Sequence, residues 1–66
     1  MQMKIFETEA LSWDEFATLR NWCNSNNVGY RCDYLSSNHN YVSLWVNDKE
    51  LEIYLLLRYN LKEIKE

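Results

Sequence analysis

Residues 11–23 read LSWDEFATLRNWC, and this stretch decides how the rest of the chain can fold. Ser12 and, three residues later, Glu15 form a capping-box pattern, in which each side chain accepts a hydrogen bond from the backbone amide of the other residue. Leu11 before the cap and Phe16 after it have the spacing of a hydrophobic staple. An α-helix is therefore predicted to begin at Ser12.

The predicted helix has one apolar side. Phe16, Leu19 and Cys23 recur at helical spacing. The opposite side is polar and comprises Asp14, Thr18, Asn21 and Ser25. The serine and asparagine residues after Cys23 compete for backbone hydrogen bonds, and Gly29 can take the positive φ of a terminating turn. We expect the helix to end near Asn26.

Three other segments have the composition and alternation of strands. Met3–Thr8 has strong strand formers at its centre, and Val28–Leu35 alternates between large and polar side chains. In the third segment, the buried side is predicted to carry Val42, Leu44 and Val46, and the other side Tyr41, Ser43 and Trp45. The polar cluster Ser36–Asn40 predicts the turn of a β-hairpin between the last two strands.

Residues 49–59 fit two interpretations. Their alternation favours a strand. However, Asn47 or Asp48 can cap a helix, and leucine, glutamate, lysine and arginine are good helix formers. We favour the helix, with Asn60 as its left-handed terminator and Leu61–Lys65 as a closing strand.

The resulting order of elements predicts a single α+β domain over residues 1–66. Strand, helix, strand, strand, helix, strand resembles the ferredoxin-like βαββαβ arrangement, in which two helices cover one face of an antiparallel sheet. If residues 49–59 form a strand instead, the alternative is one helix on a four-stranded sheet. The absence of proline and the presence of only one glycine leave no marked linker.

The end of the chain also carries a family resemblance. Residues 47–50 (NDKE) and 55–61 (LLLRYNL) resemble the second helix and last strand of short uncharacterised bacteriophage proteins with a ferredoxin-like fold. The resemblance covers about a third of the chain. It implies a bacteriophage origin and brings no catalytic or binding residues.

Composition restricts the function classes. The formal net charge is −3, which gives no sign of the positive field that nucleic-acid and anionic-membrane binders use. No apolar stretch approaches the roughly 20 residues that cross a bilayer. The chain starts without a signal-peptide pattern, so we expect a cytoplasmic protein, in the host cytoplasm if it is phage-encoded. One glycine cannot build a phosphate-binding loop, and we expect no cofactor.

The sequence predicts no metal site and no catalytic site. Cys23, Cys32 and His39 match none of the usual zinc spacings, and we expect both thiols to be reduced and His39 to lie in a solvated turn. Cys32 and Asp33 are neighbours on a strand and should point to opposite faces, which disfavours a thiol enzyme. The remaining acids of the C-terminal third are expected at helix ends or solvent faces and comprise Glu50, Glu52, Glu63 and Glu66.

The aromatic residues give the candidate binding surface. Tyr41 and Trp45 are predicted to lie on the sheet face away from the helices, with Phe6 or Ile5 beside Trp45 because the first and third strands are central in this fold. Arg31 can border them. Such a patch suits recognition of another protein, because aromatic side chains dominate protein interfaces.

Other readings of these residues stay open at this stage. The same rings could stack on single-stranded nucleic acid, although ten acidic residues oppose seven basic ones. They could instead pack on Arg31 or the chain termini without any partner. Apolar residues spread around the circumference of helix 49–59, which also favours self-association.

Overall fold

Four strands and two helices are seen in the computed structural model, which describes residues 2–36 and 39–65, with the side chains of residues 34–36 and 39 outside the description. In chain order they are β1 (Lys4–Thr8), α1 (Trp13–Ser25), β2 (Gly29–Ser36), β3 (His39–Val46), α2 (Lys49–Arg58) and β4 (Leu61–Ile64). The strands form one sheet in the order β2-β3-β1-β4, and every neighbouring pair is antiparallel. This confirms the ferredoxin-like arrangement with two helices and excludes the one-helix alternative.

The start of α1 is the predicted capping box. The Glu15 amide donates to Ser12 Oγ at 3.2 Å, and the Ser12 amide donates to Glu15 Oε1 at 3.0 Å. Downstream, Phe16, Leu19 and Cys23 are all buried, as the helical spacing predicts. The capping box therefore fixes where the helix begins, and burial of Phe16, Leu19 and Cys23 turns the apolar side of the helix toward the sheet.

The end of α1 differs from the prediction in one respect. The helix ends at Ser25, and the Asn26 amide donates to the carbonyl oxygens of Trp22 and Cys23. The positive φ of 56° falls on Asn27. The turn predicted at Gly29 was wrong, because asparagine adopts the left-handed conformation more readily than most residues and reverses the chain two residues earlier. Gly29 is the first residue of β2.

Helix α2 begins and ends by different devices. Asp48 Oδ1 accepts from the amides of Glu50 at 2.8 Å and Leu51 at 3.1 Å, so Asp48 is the N-cap. The helix ends at Arg58, and Tyr59 has extended backbone. The left-handed terminator predicted at Asn60 was wrong, because the extended Tyr59 already leads the chain out of the helix.

The side of α2 that faces the sheet carries a buried glutamate, which forms an ion pair with a lysine of β1. Leu55 is fully buried there, and Glu52 is only 5% exposed. Lys4 Nζ on β1 lies 3.3 Å from Glu52 Oε1 and 3.4 Å from Oε2, and Lys49 Nζ lies 3.6 Å from Oε2. Glu52 lies in the first turn of α2, at a helix end as expected, but it is buried rather than solvated, because Lys4 neutralises the carboxylate beneath the helix.

The core lies between the sheet and the two helices. It is formed by Phe6, Leu11, Phe16, Leu19, Cys23, Val28, Val42, Leu44, Val46 and Leu55. Trp22 on α1 stacks on Tyr54 on α2, with ring centroids 4.8 Å apart and planes 7° apart, and so joins the two helices. On β3, Val42, Leu44 and Val46 have no exposed surface. The predicted inward side of β3 is therefore confirmed.

Asn40 continues the buried side of β3. The sequence predicted a turn there, but Asn40 lies in the strand and is fully buried. Its backbone exchanges two hydrogen bonds with Leu11, and its Nδ2 donates to the Leu11 carbonyl oxygen at 3.1 Å. Its Oδ1 accepts a weak hydrogen bond from Cys32 Sγ at 3.8 Å. β3 thus begins at His39, inside the predicted turn, of which residues 37 and 38 lie outside the described residues.

A β-bulge connects β1 to α1. Between the Glu7–Ser43 and Leu11–Asn40 pairs, residues 8–10 lie opposite residues 41 and 42, so the β1 side has one extra residue. The amide of Val42 donates to Thr8 Oγ1 at 3.1 Å within this bulge. The bulge places Leu11 in the core directly before the helix cap.

We expect Asn40→Ala to lower the free energy of unfolding by about 1–3 kcal/mol, because it removes a buried side-chain hydrogen bond and leaves a cavity. Urea unfolding followed by circular dichroism measures this. As a control, Asn21→Ala on the exposed side of α1 should leave the stability unchanged or raise it slightly, because alanine favours helix. Equal stabilities of the two variants would contradict the role given to Asn40.

Candidate functional site

The sheet face turned away from α1 and α2 is the candidate site, and we name it the open face. Residues alternate between the two faces along each strand, so the residues that alternate with the core residues lie on the open face, and the pairing registers align them across the strands. These are Ile5, Glu7, Gly29, Arg31, Asp33, Tyr41, Ser43, Trp45, Lys62 and Ile64. Tyr41, Trp45 and Arg31 therefore lie on the predicted side of the sheet.

An apolar row crosses the open face at one end. Gly29 pairs with Trp45, Trp45 with Ile5, and Ile5 with Ile64, so one row spans all four strands. Trp45 and Ile5 are partly buried, and Ile64 is 38% exposed. Met3, 55% exposed, extends the row beyond the start of β1. Met3, Ile5, Trp45 and Ile64 form the apolar part of a groove of about 690 Å³, whose other lining residues are Gln2, Lys4, Glu63 and Lys65.

The indole of Trp45 lies beside the backbone of Gly29. A Cβ atom added to Gly29 would lie 3.6 Å from Trp45 Cβ and 4.0 Å from Trp45 Cε3, which is ordinary van der Waals contact. Because Gly29 has no side chain, it leaves the adjacent side of the Trp45 indole uncovered. Trp45 therefore contributes both to sheet packing and to the accessible surface.

Phe6 does not belong to the open face. It pairs with Leu44 and is only 3% exposed in the core, so the placement of Phe6 on the predicted binding surface was wrong. Its neighbour Ile5 lies beside Trp45 instead. The sequence left both possibilities open because the two residues are adjacent and both are apolar.

A charged row runs next to the apolar row. Arg31 pairs with Ser43, Ser43 with Glu7, and Glu7 with Lys62 across the four strands. Arg31 Nε also lies 3.3 Å from Asp33 Oδ1, two residues along β2. Both signs of charge thus alternate over short distances on the open face.

Most of the basic side chains lie against an acid or an aromatic ring. Lys4 and Lys49 contact Glu52, and Arg31 contacts Asp33. Arg20 lies 5.6 Å from the ring centroid of Phe16, and Arg58 lies 5.5 Å from that of Tyr54. Five of the seven basic residues are thus engaged within the chain. On the open face itself, Arg31 and Lys62 are balanced by Glu7 and Asp33, so this face has little net positive field.

A second apolar surface lies on the outer side of α2. Ile53 and Leu56 are each 46% exposed, and Leu57 is 82% exposed. Their spacing of three and four residues places them on one stripe. The apolar residues of α2 therefore lie on more than one side of the helix, because some of them face the core and others face outward.

The two thiols lie on the helix side of the sheet. Burial raises the pKa of Cys23 to about 11. Burial and the Asp33 carboxylate raise the pKa of Cys32. Cys32 and Asp33 alternate to opposite faces, as predicted, and the side chain of His39 lies outside the described residues. Both environments disfavour the thiolate, which is the reactive form.

Neither a metal-binding cluster nor a membrane-spanning helix is found within residues 2–36 and 39–65. These residues contain no group of three or more histidine, cysteine, aspartate or glutamate side chains placed to bind a metal. None of the helices described is long and apolar enough to span a membrane.

Comparisons of the chain with protein-family models, curated proteins and solved structures give no match.

Thiol modification tests the two cysteine environments. At pH 8, we expect Cys23 in the folded protein to react with Ellman's reagent about a hundredfold more slowly than in urea, because its raised pKa leaves little thiolate. Cys32 should react first. Asp33→Asn should lower the pKa of Cys32 and speed its reaction, since the carboxylate disfavours the thiolate. Rapid labelling of Cys23 in the folded protein would contradict this account.

Proposed function

We propose that the chain is a non-enzymatic protein-interaction module whose open face binds a partner protein. The observation that carries the proposal is the apolar row of Trp45, Ile5 and Ile64, which crosses the sheet without a helix above it. A tryptophan held by a sheet contributes a large contact area at little cost in side-chain entropy. The row is therefore suited to be the anchor of an interface.

The chemistry of the partner follows from the surroundings of the row. Arg31, Glu7 and Lys62 lie alongside it with alternating charge. This pattern matches the polar rim of a protein interface, where mixed charges select a partner more than they add affinity. The expected partner offers an apolar cluster bordered by charges of both signs.

Two other functions receive less support from the site. Single-stranded nucleic acid could stack on Trp45 and Tyr41, but Glu7 and Asp33 lie on the same face and would repel phosphates. A thiol enzyme would need an activated cysteine, and the pKa of Cys32 is raised. We include in the proposal an origin in bacteriophage, which rests on the sequence resemblance, and a cytoplasmic location.

Trp45→Ala is expected to weaken partner binding strongly while the fold is retained. Wild-type protein, Trp45→Ala and the control Trp13→Ala, which removes a half-exposed indole on α1, serve as baits in the native host lysate. Proteins retained by the wild type and the control but lost with Trp45→Ala are purified and titrated directly. We expect Trp45→Ala to weaken that binding by at least about thirtyfold, the loss typical of an interface hot spot.

A second variant tests the same surface in case Trp45→Ala unfolds the protein. Ile64→Lys places a charge at the exposed end of the same row, and circular dichroism checks the fold of each variant. Binding that survives both substitutions would refute the proposal. Steep, salt-dependent binding of single-stranded oligonucleotides by the wild type would instead favour the nucleic-acid function.

A further inference from the structure

Strand β2 forms one edge of the sheet. Its regular pairing with β3 runs from Gly29 to Tyr34 and is interrupted by a register shift between Tyr34 and Ser36. Within the described part of the chain, no strand pairs with its outer side. An edge of this kind presents unpaired backbone donors and acceptors to a further strand.

The hydrogen bonds of β3 show which β2 residues have their backbone groups on this edge. The amides of Asn40 and Val42 donate toward the β1 side, to the Leu11 carbonyl oxygen and to Thr8 Oγ1. Backbone groups alternate between the two sides of a strand, so Tyr41 and Ser43 bond to β2. The pairing of Cys32 with Val42 is then one without hydrogen bonds, and the amide and carbonyl of Cys32 point outward.

The sequence of this edge is self-complementary about Cys32. It reads Tyr30-Arg31-Cys32-Asp33-Tyr34, so reversal of the strand exchanges the cation for the anion and tyrosine for tyrosine. Arg31 and Asp33 share the open face, and their side chains are 73% and 44% exposed. Both charges are therefore accessible to a neighbouring strand.

We infer that a second copy of this chain pairs with the first through β2, antiparallel and with Cys32 opposite Cys32. Arg31 of each copy then lies opposite Asp33 of the other, in the closely spaced pairs where side chains interact most. Three pairs exchange backbone hydrogen bonds: Cys32 with Cys32, and Tyr30 with Tyr34 twice. The result is a two-fold dimer with one continuous eight-stranded sheet.

Charge selects this register over its neighbours. Each side chain must stay on its own face of the sheet, so the register between the two copies of β2 can shift only by an even number of residues. The smallest such shifts move the two-fold axis from residue 32 to residue 31 or residue 33. The first alternative places Arg31 opposite Arg31, and the second places Asp33 opposite Asp33. Like charges directly opposite each other destabilise a strand pair, whereas the register about Cys32 forms two opposite-charge pairs.

The dimer extends the function of the open face without depending on it. The two-fold axis is perpendicular to the sheet, so both copies present their open faces on the same side. Two apolar rows on one continuous surface would bind a repeated or two-fold partner with increased avidity. Failure of partner binding at Trp45 would leave the dimer unaffected, and the two claims can be tested separately.

A charge-exchange experiment tests the dimer. Arg31→Asp places only acids at residues 31 and 33, and Asp33→Arg places only cations there, so each variant alone should associate more weakly than the wild type. An equimolar mixture restores two opposite-charge pairs in the heterodimer. Sedimentation equilibrium over a concentration series should show association of the wild type and of the mixture, with at least about tenfold weaker association of each variant alone.

Cross-linking tests the register independently. Because the two Cys32 residues lie opposite each other and Cys23 is buried, a short bismaleimide should link wild-type dimers through Cys32 alone, and Cys32→Ser should prevent the link while association persists. Circular dichroism verifies the fold of every variant. A monomeric wild type at millimolar concentration, a mixture that fails to associate, or loss of association in Leu57→Ser on the outer side of α2 would overturn the inference.

Discussion

The division of β3 into an inward and an outward side is the constraint on which the rest of the structure depends. Val42, Leu44 and Val46 are completely buried, and burial of each such side chain contributes roughly 1.5–3 kcal/mol. A slip of one residue would expose all three and turn Tyr41 and Trp45 toward the helices. The same division directs the backbone groups of β3 alternately to β1 and β2. The alternation along β3 therefore accounts both for the accessible indole of Trp45 and for the outward-pointing amide of Cys32.

The sequence was sufficient for those parts of the fold that depend on local patterns. The capping box at Ser12 and Glu15 and the alternation in β3 are both determined by nearby residues. The turn predicted at Asn40 was wrong, and the burial of Glu52 was not predicted, because these residue types favour turns and surfaces. Each is buried because a residue far along the chain interacts with it: the Leu11 carbonyl oxygen accepts a hydrogen bond from Asn40, and Lys4 forms an ion pair with Glu52. The period-two pattern of β3, extended backwards by one step, was the available signal for Asn40.

The candidate site was predicted in part. Tyr41, Trp45 and Arg31 follow from strand alternation, and the structure places all three on the open face. Phe6 could not be separated from Ile5 without the pairing of β1 with β3. The edge of β2 was missed although its charge order is visible in the sequence, because self-complementarity has meaning only once a strand is known to lie at an edge and to expose its backbone groups there.

The alternation of β3 between an inward and an outward side is tested most directly by amide hydrogen exchange at residues 31–33, which pair with β3, measured by NMR in dilute solution. We predict that the amides of Arg31 and Asp33 exchange slowly, because they bond to β3, and that the amide of Cys32 between them exchanges quickly. The Cys32 amide should become protected as the protein concentration is raised. A protected Cys32 amide flanked by rapidly exchanging neighbours in the dilute protein would contradict the account, since it would place β2 one residue out of register.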